Sequence, residues 1–410
     1  MLLARLAALI ALALCFLALW GVLPPPTYAL LTLSVGAPEV GVWLIVAALV
    51  ALVLALAGQP GRLRWMALLA VAATIVLSLM PLLRFPATAR RFEAAMRAAL
   101  GSDYLCAVPD SIRAGLRSPS LRLTELFTGL RTDSVRVTRG VVVGSTGGTP
   151  LTADTYQPAH SGHYPVVVQI YGGAWQRGAP SDDEAFARYL AAHRYVVVAV
   201  DYRHAPAWSW PAQLDDVRAA VAWVRAHAVE LDADPTRLAL IGRSSGAQLA
   251  LVAAYTDSLP VRAVISLYGP VDLVDGYNHP PRPDPLDVRS LERAYLGGTP
   301  TEQPERYHDA SPVSYASTVQ PPTLLIYAGR DNVVLPRFGR LLQERLRAGG
   351  TTSVLLEIPW AEHAFDAVSA GPSAQLALQQ VERFLAWAMH RTTDAGECAG
   401  AGRARRPGGH

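Results

Sequence analysis

The sequence predicts an α/β protein whose mostly parallel central sheet is preceded by about three transmembrane helices. Uncharged apolar runs crowd into the first eighty or so of the 410 residues, and short apolar runs alternate with helical stretches further along the chain. Half of the chain is hydrophobic and only 17% is charged, whereas ordinary chains carry about 25% charged residues. We therefore expect a membrane region followed by one large domain.

The membrane region is predicted over residues 1–84. Residues 6–23, 40–58 and 65–83 contain no charged side chain, and each run is long enough to cross a hydrocarbon core of about 30 Å as a helix. The first run alone would also fit a signal peptide. No small-x-small cleavage site follows it, however, and two further runs do. A buried helical hairpin is the other alternative, which three successive runs disfavour.

The basic residues predict an orientation in the membrane. Arg5 precedes the first run, and Arg62 and Arg64 lie between the second and third, while the loop between the first and second runs has no Lys or Arg. Because positive charge favours the cytoplasmic side, the large domain is expected on the outside of a multi-pass cell-membrane protein. Basic residues after the third run, such as Arg84 and Arg90, favour the opposite orientation.

Two segments outside the main domain have a different character. Residues 85–134 are expected to form a juxtamembrane connector, with one amphipathic helix over ATARRFEAAMRAAL. Residues 392–410 are rich in Gly, Ala and Arg, a composition that predicts a disordered tail.

The domain at 135–391 begins with two strand-like runs and continues with alternating strands and helices. Fully apolar strands that alternate with helices indicate a parallel sheet covered on both faces. The hairpin VRVTRGVVVG and LTADTYQP would form one edge of this sheet. The predicted parallel strands are YPVVVQIY, YVVVAVDY, RLALIG, VRAVISLY, TLLIYAG and SVLLEIP.

A tight turn between the strand RLALIG and the helix SGAQLALVAAYT carries a candidate nucleophile. Its residues 242–246, GRSSG, fit the pattern G-x-S-x-G and present Ser244 at the carboxyl edge of the sheet. The flanking glycines are needed where neighbouring chain segments leave no room for a Cβ atom. A structural Gly-Ser turn without chemistry is the alternative.

Two further side chains follow strands at the same edge of the sheet. His363 follows SVLLEIP and Asp331 follows TLLIYAG, where parallel α/β folds place their sites. A serine needs a base to take its proton, and the base needs a group that orients it. The order Ser244, Asp331, His363 is that of an α/β-hydrolase fold. Taken singly, Asp331 would be a solvated loop acid and His363 a loop histidine bonded to the backbone.

An oxyanion hole is predicted after the strand that ends in QIY. Gly172 and Gly173 let the backbone approach a substrate, and their N–H groups together with that of Ser245 can bind a developing oxyanion. Trp175 next to them would form a wall of the acyl pocket or simply pack in the core.

Several motifs together resemble the esterases related to hormone-sensitive lipase and the feruloyl esterases of the BD type. IYGGAWQRG is similar to their HGGGW-x-x-G stretch, GRSSGAQLA to GHSAGGHLA, and DYRHAPAWSWPAQLDD to their DYR-x-x-P…PAQ-x-x-D segment. The resemblance runs from about residue 135 to 388 and implies an α/β-hydrolase fold and esterase activity. In this pattern Asp201 and Arg203 look structural.

The sequence departs from the family pattern at four positions. Tyr171 replaces the histidine before the glycines, Ala174 the third glycine, Arg243 the residue before the serine and Ala247 a later glycine. Tyr171 can still hydrogen-bond through its hydroxyl, and we expect it to line the substrate pocket with Trp175. The sequence offers no physical reason for Arg243.

The predicted function is hydrolysis of carboxylic esters through an acyl-enzyme, without a metal or organic cofactor. The substrate would be a small-molecule or lipid ester, and the insert at 271–320 would shape its choice. A formal charge of +3, without zinc-finger spacing or a basic-aromatic patch, gives no sign of a nucleic-acid partner. Acyl transfer or deacylation of a lipid or envelope glycan is one alternative, and a non-catalytic scaffold with a hydrolase fold is another.

Overall fold

Four helices form the amino-terminal region of the computed structural model, which describes residues 2–146, 148–256 and 261–391. The predicted tail at 392–410 lies outside these residues. Apolar, alanine-rich sequence favours helix throughout this region. The four helices are α1 Leu2–Leu19, α2 Tyr28–Glu39, α3 Gly41–Ala57 and α4 Arg62–Leu100.

Among the described residues, two helices are long and apolar enough to cross a membrane, α1 and α4. The axes of α2 and α3 are bent by 84° at the break between them, and this pair passes the same test only when taken together. The structure thus offers two spans, or three if the bent pair is one span. The loop expected between the first two apolar runs contains α2, which the sequence analysis missed.

The helix that contains the third apolar run extends beyond that run. Helix α4 continues without interruption through the predicted boundary at 84/85, although Pro81 and Pro86 lie inside it. Phe85, Phe92 and Met96 on its second half are buried in the core of the large domain. This burial explains the continuity, because packing of the apolar face compensates for what the prolines cost the helix.

The rest of the predicted connector contains only two short helices, α5 Asp110–Arg113 and α6 Glu125–Thr128. It is nevertheless well packed. The fully buried guanidinium of Arg117 contacts Glu125 at 2.6 Å, and its backbone N–H donates to Glu382 at 2.7 Å. The connector is therefore fixed to the last helix of the large domain.

The large domain is built on one eight-stranded sheet with the order β1-β2-β4-β3-β5-β6-β7-β8. The first two strands pair antiparallel with each other, β2 pairs antiparallel with β4, and all further pairs are parallel. The predicted architecture is confirmed. The strands are β1 Val135–Thr146, β2 Thr149–Pro158, β3 Tyr164–Ile170, β4 Val196–Val200, β5 Ala233–Arg243, β6 Val261–Leu267, β7 Thr323–Ala328 and β8 Ser353–Ile358.

Helices cover both faces of this sheet. Successive residues of a strand point to opposite faces, so that Val166 and Val168 lie in one buried cluster and Val167 in the other. This is why the strands read as unbroken apolar runs. The helices are α7 Glu184–Ala192, α8 Ala212–Ala226, α9 Ser245–Thr256, α10 Leu273–Asn278, α11 Val288–Leu296, α12 Pro304–Asp309, α13 Arg337–Ala348 and α14 Pro372–His390.

The insert at 271–320 lies between β6 and β7 and supplies α10, α11 and α12. It is not a simple surface loop, because Tyr295 and Tyr307 are fully buried in the domain core. Other parts of the insert face the cavity at the carboxyl edge of the sheet.

Candidate active site

The turn between β5 and α9 holds Ser244 in a strained backbone conformation. Its φ angle is +50°, a region that non-glycine residues rarely occupy. The Ser244 N–H donates to the carbonyl of Leu267 on β6 at 2.9 Å, which fixes the turn to the sheet. The side chain is thereby held at the carboxyl edge of the sheet, as the sequence predicted.

Both glycines of the turn are required by close approaches of the backbone. A Cβ atom at position 242 would lie 2.2 Å from the carbonyl oxygen of Gly246, and one at 246 would lie 2.2 Å from that of Tyr171. The pattern G-x-S-x-G therefore has a steric cause at each glycine.

Ser244, His363 and Asp331 form a continuous hydrogen-bonded chain. The Nε2 atom of His363 lies 2.9 Å from Ser244 Oγ, and Nδ1 lies 2.9 Å from Asp331 Oδ2. The other oxygen of Asp331 accepts hydrogen bonds from the N–H groups of Val333 and Val334 at 2.8 and 2.7 Å. Because a carboxylate only accepts, the proton belongs on Nδ1, which leaves Nε2 free to accept from the serine hydroxyl.

The electrostatic environment raises the pKa of His363. Burial alone would lower it, but the negative charge of Asp331 and the hydrogen bond to it outweigh burial, with smaller contributions from Glu362 and Asp366. The imidazolium form of His363 is thus stabilised in this site.

Glu362 has a buried carboxyl group next to His363 and Asp331. Sequence reasoning did not identify this residue. It accepts hydrogen bonds from the backbone N–H groups of Asn332 at 2.6 Å and His363 at 3.0 Å. Its pKa is raised, because burial and the charge of Asp331 outweigh these bonds. Glu362 therefore connects the loop that contains Asp331 to the loop that contains His363.

Gly172 and Gly173 lie in the loop after β3, the glycine loop, directly against residues 242–246, the serine turn. A Cβ atom at Gly172 would be 2.9 Å from the carbonyl oxygen of Arg243 and 3.1 Å from the Cβ of Ser244. Among the described residues, the N–H groups of Gly172, Gly173 and Ser245 donate no hydrogen bond. These three donors are available to an oxygen of a bound ligand.

Tyr171 does not line the cavity, contrary to the sequence prediction. Its hydroxyl donates to Asp201 and lies 2.8 Å from Nε2 of His204, and its ring stacks on Tyr202. Tyr171 directly follows β3, and its ring is turned into the core under the glycine loop, where Asp201 satisfies its hydroxyl. The structural role expected of Asp201 agrees with this contact.

Trp175 is buried in the core and also lines the cavity. Its indole N–H donates to Gln248 at 2.9 Å, and its ring stacks on Tyr295 of the insert with the ring centroids 4.1 Å apart. The tryptophan therefore joins the glycine loop, α9 and the insert into one wall.

Arg243, unexplained by the sequence, is buried between two carboxylates. Its Nε atom lies 2.6 Å from Asp366 and 3.2 Å from Asp183, and its guanidinium covers the ring of Phe186. Burial raises the pKa of Asp183 to about 6, although the charge of Arg243 acts in the opposite direction. Asp366 also accepts from the hydroxyl of Tyr268. No sequence signal pointed to these partners, which come from distant segments.

A cavity of about 450 Å³ opens in front of Ser244 and His363. Its walls come from the glycine loop, the insert, the segment around Val334, and helix α2 of the amino-terminal region. Among the described residues, no group of three or more His, Cys, Asp or Glu side chains is arranged to hold a metal ion.

Part of this chain matches a known protein family. Residues 153–346 match the BD-FAE family model. The resemblance to α/β-hydrolase esterases is confirmed. This region includes the glycine loop, the serine turn and Asp331, whereas His363 lies beyond it.

Curated relatives from Mycobacterium tuberculosis share the same part of the chain. The probable carboxylic ester hydrolase LipM is 33% identical over 243 residues, which cover 55% of this chain and 55% of LipM. The esterase LipC is 35% identical over 240 residues, which cover 53% of this chain and 59% of LipC. The chain thus spans little more than half the length of these relatives.

Solved structures with the same fold cover more of the chain. A bacterial heroin esterase superposes with a TM-score of 0.57 at 22% identity, over 70% of this chain and 99% of that protein. The carboxylesterase EstE1, cloned from a metagenomic library, gives 0.55 at 24% identity, over 68% and 97%. The domain has the α/β-hydrolase fold.

Proposed function

We propose that this protein is a serine hydrolase that cleaves carboxylic esters through an acyl-enzyme. The single observation that carries the proposal is the chain of 2.9 Å contacts from Ser244 through His363 to Asp331. The relatives LipM and LipC are named as ester hydrolases, which supports the same reaction.

In the proposed mechanism, Ser244 Oγ attacks the ester carbonyl carbon while Nε2 of His363 takes the hydroxyl proton. The N–H groups of Gly172, Gly173 and Ser245 bind the oxyanion of the tetrahedral intermediate. Asp331 holds the imidazole in the required tautomer and stabilises the imidazolium.

Collapse of this intermediate breaks the ester C–O bond, and His363 returns the proton to the departing alcohol. A water molecule then loses a proton to His363 and attacks the acyl carbon, which releases the carboxylic acid and regenerates Ser244. Acyl transfer would differ only in an alcohol replacing this water.

Membrane attachment is part of the proposal. Most exposed large hydrophobic side chains of the described residues lie in the amino-terminal helices, such as Leu9, Val53 and Leu69. A surface of this kind is expected against lipid rather than water. We propose that these helices anchor the hydrolase domain, residues 135–391, in the cell membrane.

The orientation proposed from the basic residues also has structural support. Gly58 approaches Ala4, so that the end of α3 and the start of α1 lie together. Arg5, Arg62 and Arg64 therefore belong to the end of the helical bundle away from the hydrolase domain. Positive charge at that end favours the cytoplasm, with the active site outside.

The test of catalysis compares Ser244→Ala with Ser161→Ala, an exposed serine between β2 and β3. With full-length protein in detergent, we expect Ser244→Ala to lose turnover of p-nitrophenyl butyrate and covalent labelling by a fluorophosphonate. Ser161→Ala should keep both. A wild-type protein that neither turns over the ester nor reacts with the probe would instead be a non-catalytic scaffold.

Assays of the wild-type protein with an added alcohol distinguish hydrolysis from acyl transfer. A hydrolase would yield mainly the free acid, and an acyltransferase would yield mainly the new ester. The second result would contradict the hydrolytic step proposed here.

A further inference from the structure

The wall of the cavity opposite the hydrolase core comes from the amino-terminal region. Tyr28, Leu31, Thr32 and Val35 of α2 line the same cavity as Ser244. These residues recur at spacings of three and four, so that they form one stripe along the helix. A segment between the apolar helices therefore completes the wall of this cavity.

Helix α2 is held against the loops that carry the triad. The buried hydroxyl of Ser34 is 2.9 Å from the carbonyl oxygen of Trp20 and 3.4 Å from Glu362, which also accepts from the N–H of His363. Arg330, next to Asp331, donates to the carbonyl oxygens of Gly21 and Leu23 at the start of the segment. The position of the α2 wall is thus linked to the position of the catalytic groups.

The cavity offers an apolar surface on more than one side. Leu31 and Val35 on α2 face a space that is also lined by Leu286 and Leu291 of the insert and by Phe338 of α13. A cavity of this size and composition suits an extended hydrocarbon chain next to a reacting carbonyl group.

The location of α2 indicates where such a chain would come from. In sequence the helix lies between α1 and α3, and it is bent by 84° from α3. The contacts of Ser34 with Glu362 and of Arg330 with Gly21 place it at the end of the helical bundle next to the large domain. A lipid that leaves the bilayer at this end would meet α2 before it reaches Ser244.

We propose that the site takes membrane lipid esters with long acyl chains, and that the α2 stripe of Tyr28, Leu31, Thr32 and Val35 guides the acyl chain to Ser244. This inference rests on the proposed esterase function and names its substrate class. A short acyl ester of an envelope glycan would not use this wall.

The first experiment places a larger side chain in the α2 stripe, so that it occupies part of the cavity. Full-length protein in phosphatidylcholine vesicles is assayed with p-nitrophenyl palmitate and p-nitrophenyl acetate. We expect wild-type protein to prefer the palmitate, and Val35→Trp to lower the palmitate-to-acetate ratio of kcat/KM at least about tenfold. The matched control is Ala29→Trp, an exposed position of the same helix outside the cavity, which should keep the wild-type ratio.

The second experiment needs no substitution and so does not depend on a variant that folds. A fluorophosphonate with a long alkyl chain and a terminal diazirine is bound to Ser244 and photolysed. We expect mass spectrometry to find crosslinks within residues 28–35. Crosslinks confined to the insert at 271–320, a preference for acetate, or equal ratios in the Val35 and Ala29 variants would overturn the lipid assignment.

The two proposals fail in different ways. Acetate turnover and probe labelling without a palmitate preference would leave the esterase intact and remove the lipid assignment. No turnover of either ester and no labelling would remove the esterase itself.

Discussion

The Nε atom of Arg243 donates to Oδ2 of Asp366 at 2.6 Å and thereby joins the serine turn to the loop that follows His363. Asp366 also accepts from Tyr268, whose ring contacts that of His363 with the centroids 4.8 Å apart. The residue before the nucleophile is therefore a buried cross-link between two parts of the proposed triad.

Replacing this cross-link should destabilise the fold. Arg243→Met would leave the largely buried carboxylates of Asp183 and Asp366 without their cation, and breaking a fully buried ion pair costs about 3–5 kcal/mol. We expect a loss of about 3 kcal/mol in the free energy of unfolding, measured by urea denaturation in detergent micelles. The control is Arg340→Met, which breaks an exposed pair with Glu357 and should cost less than about 1 kcal/mol. Equal losses would contradict a cross-linking role.

The raised pKa of His363 predicts the pH dependence of hydrolysis. The base must be neutral to accept the proton of Ser244, and a raised pKa keeps it protonated to higher pH. We therefore expect kcat/KM for p-nitrophenyl butyrate to rise with pH through a midpoint above 6.5, the ordinary value for histidine.

The variant Asp331→Asn removes the main causes that raise this pKa, so that the midpoint should move to lower pH. It should also reduce kcat about 10⁴-fold, because the imidazole loses its tautomer. A midpoint that stays unchanged in Asp331→Asn would mean that another group limits the reaction.

The glycine loop should tolerate no side chain at position 173. Gly173 has a φ angle of +143°, and a Cβ atom there would lie 2.0 Å from the carbonyl oxygen of Arg177. Gly173→Ala must shift the loop, and misplacing one oxyanion donor typically costs about 100- to 1000-fold in kcat.

Gly144→Ala on the edge strand β1 serves as the control, since the new Cβ atom would be 3.9 Å from the nearest neighbouring atom, on Ala219. Steady-state kinetics on p-nitrophenyl butyrate measure both variants. Wild-type kcat in Gly173→Ala would remove this loop from the proposed oxyanion hole.

The proposed triad could be located from the sequence because each of its members is marked by the strand that directly precedes it. Ser244, Asp331 and His363 each follow an apolar strand, and parallel strands bring their carboxyl ends to one edge. The fold class followed from the same alternation of strands and helices. No distance information was needed for either inference.

The remaining features depend on contacts between distant segments. The partners of Arg243 come from before β4 and after β8, and Glu362 gains its role only through the neighbouring Asp331 loop. Tyr171 was misplaced because a strand-end residue can turn either to the cavity or to the core. Helix α2 was missed because a short polar-apolar segment between long apolar runs gives no sign that it reaches a site more than 200 residues away.

Helix α4 runs unbroken over 39 residues, a length of about 58 Å. In the proposed membrane anchor, the hydrocarbon core would account for about 30 Å of this length, and Phe85, Phe92 and Met96 in the second half of the helix pack into the core of the large domain. The large domain is therefore joined to the apolar helices by continuous helix rather than by a loose linker. In the proposed anchor, α4 would set the height and tilt of the domain above the lipid, and thereby the depth of the ester groups that reach Ser244.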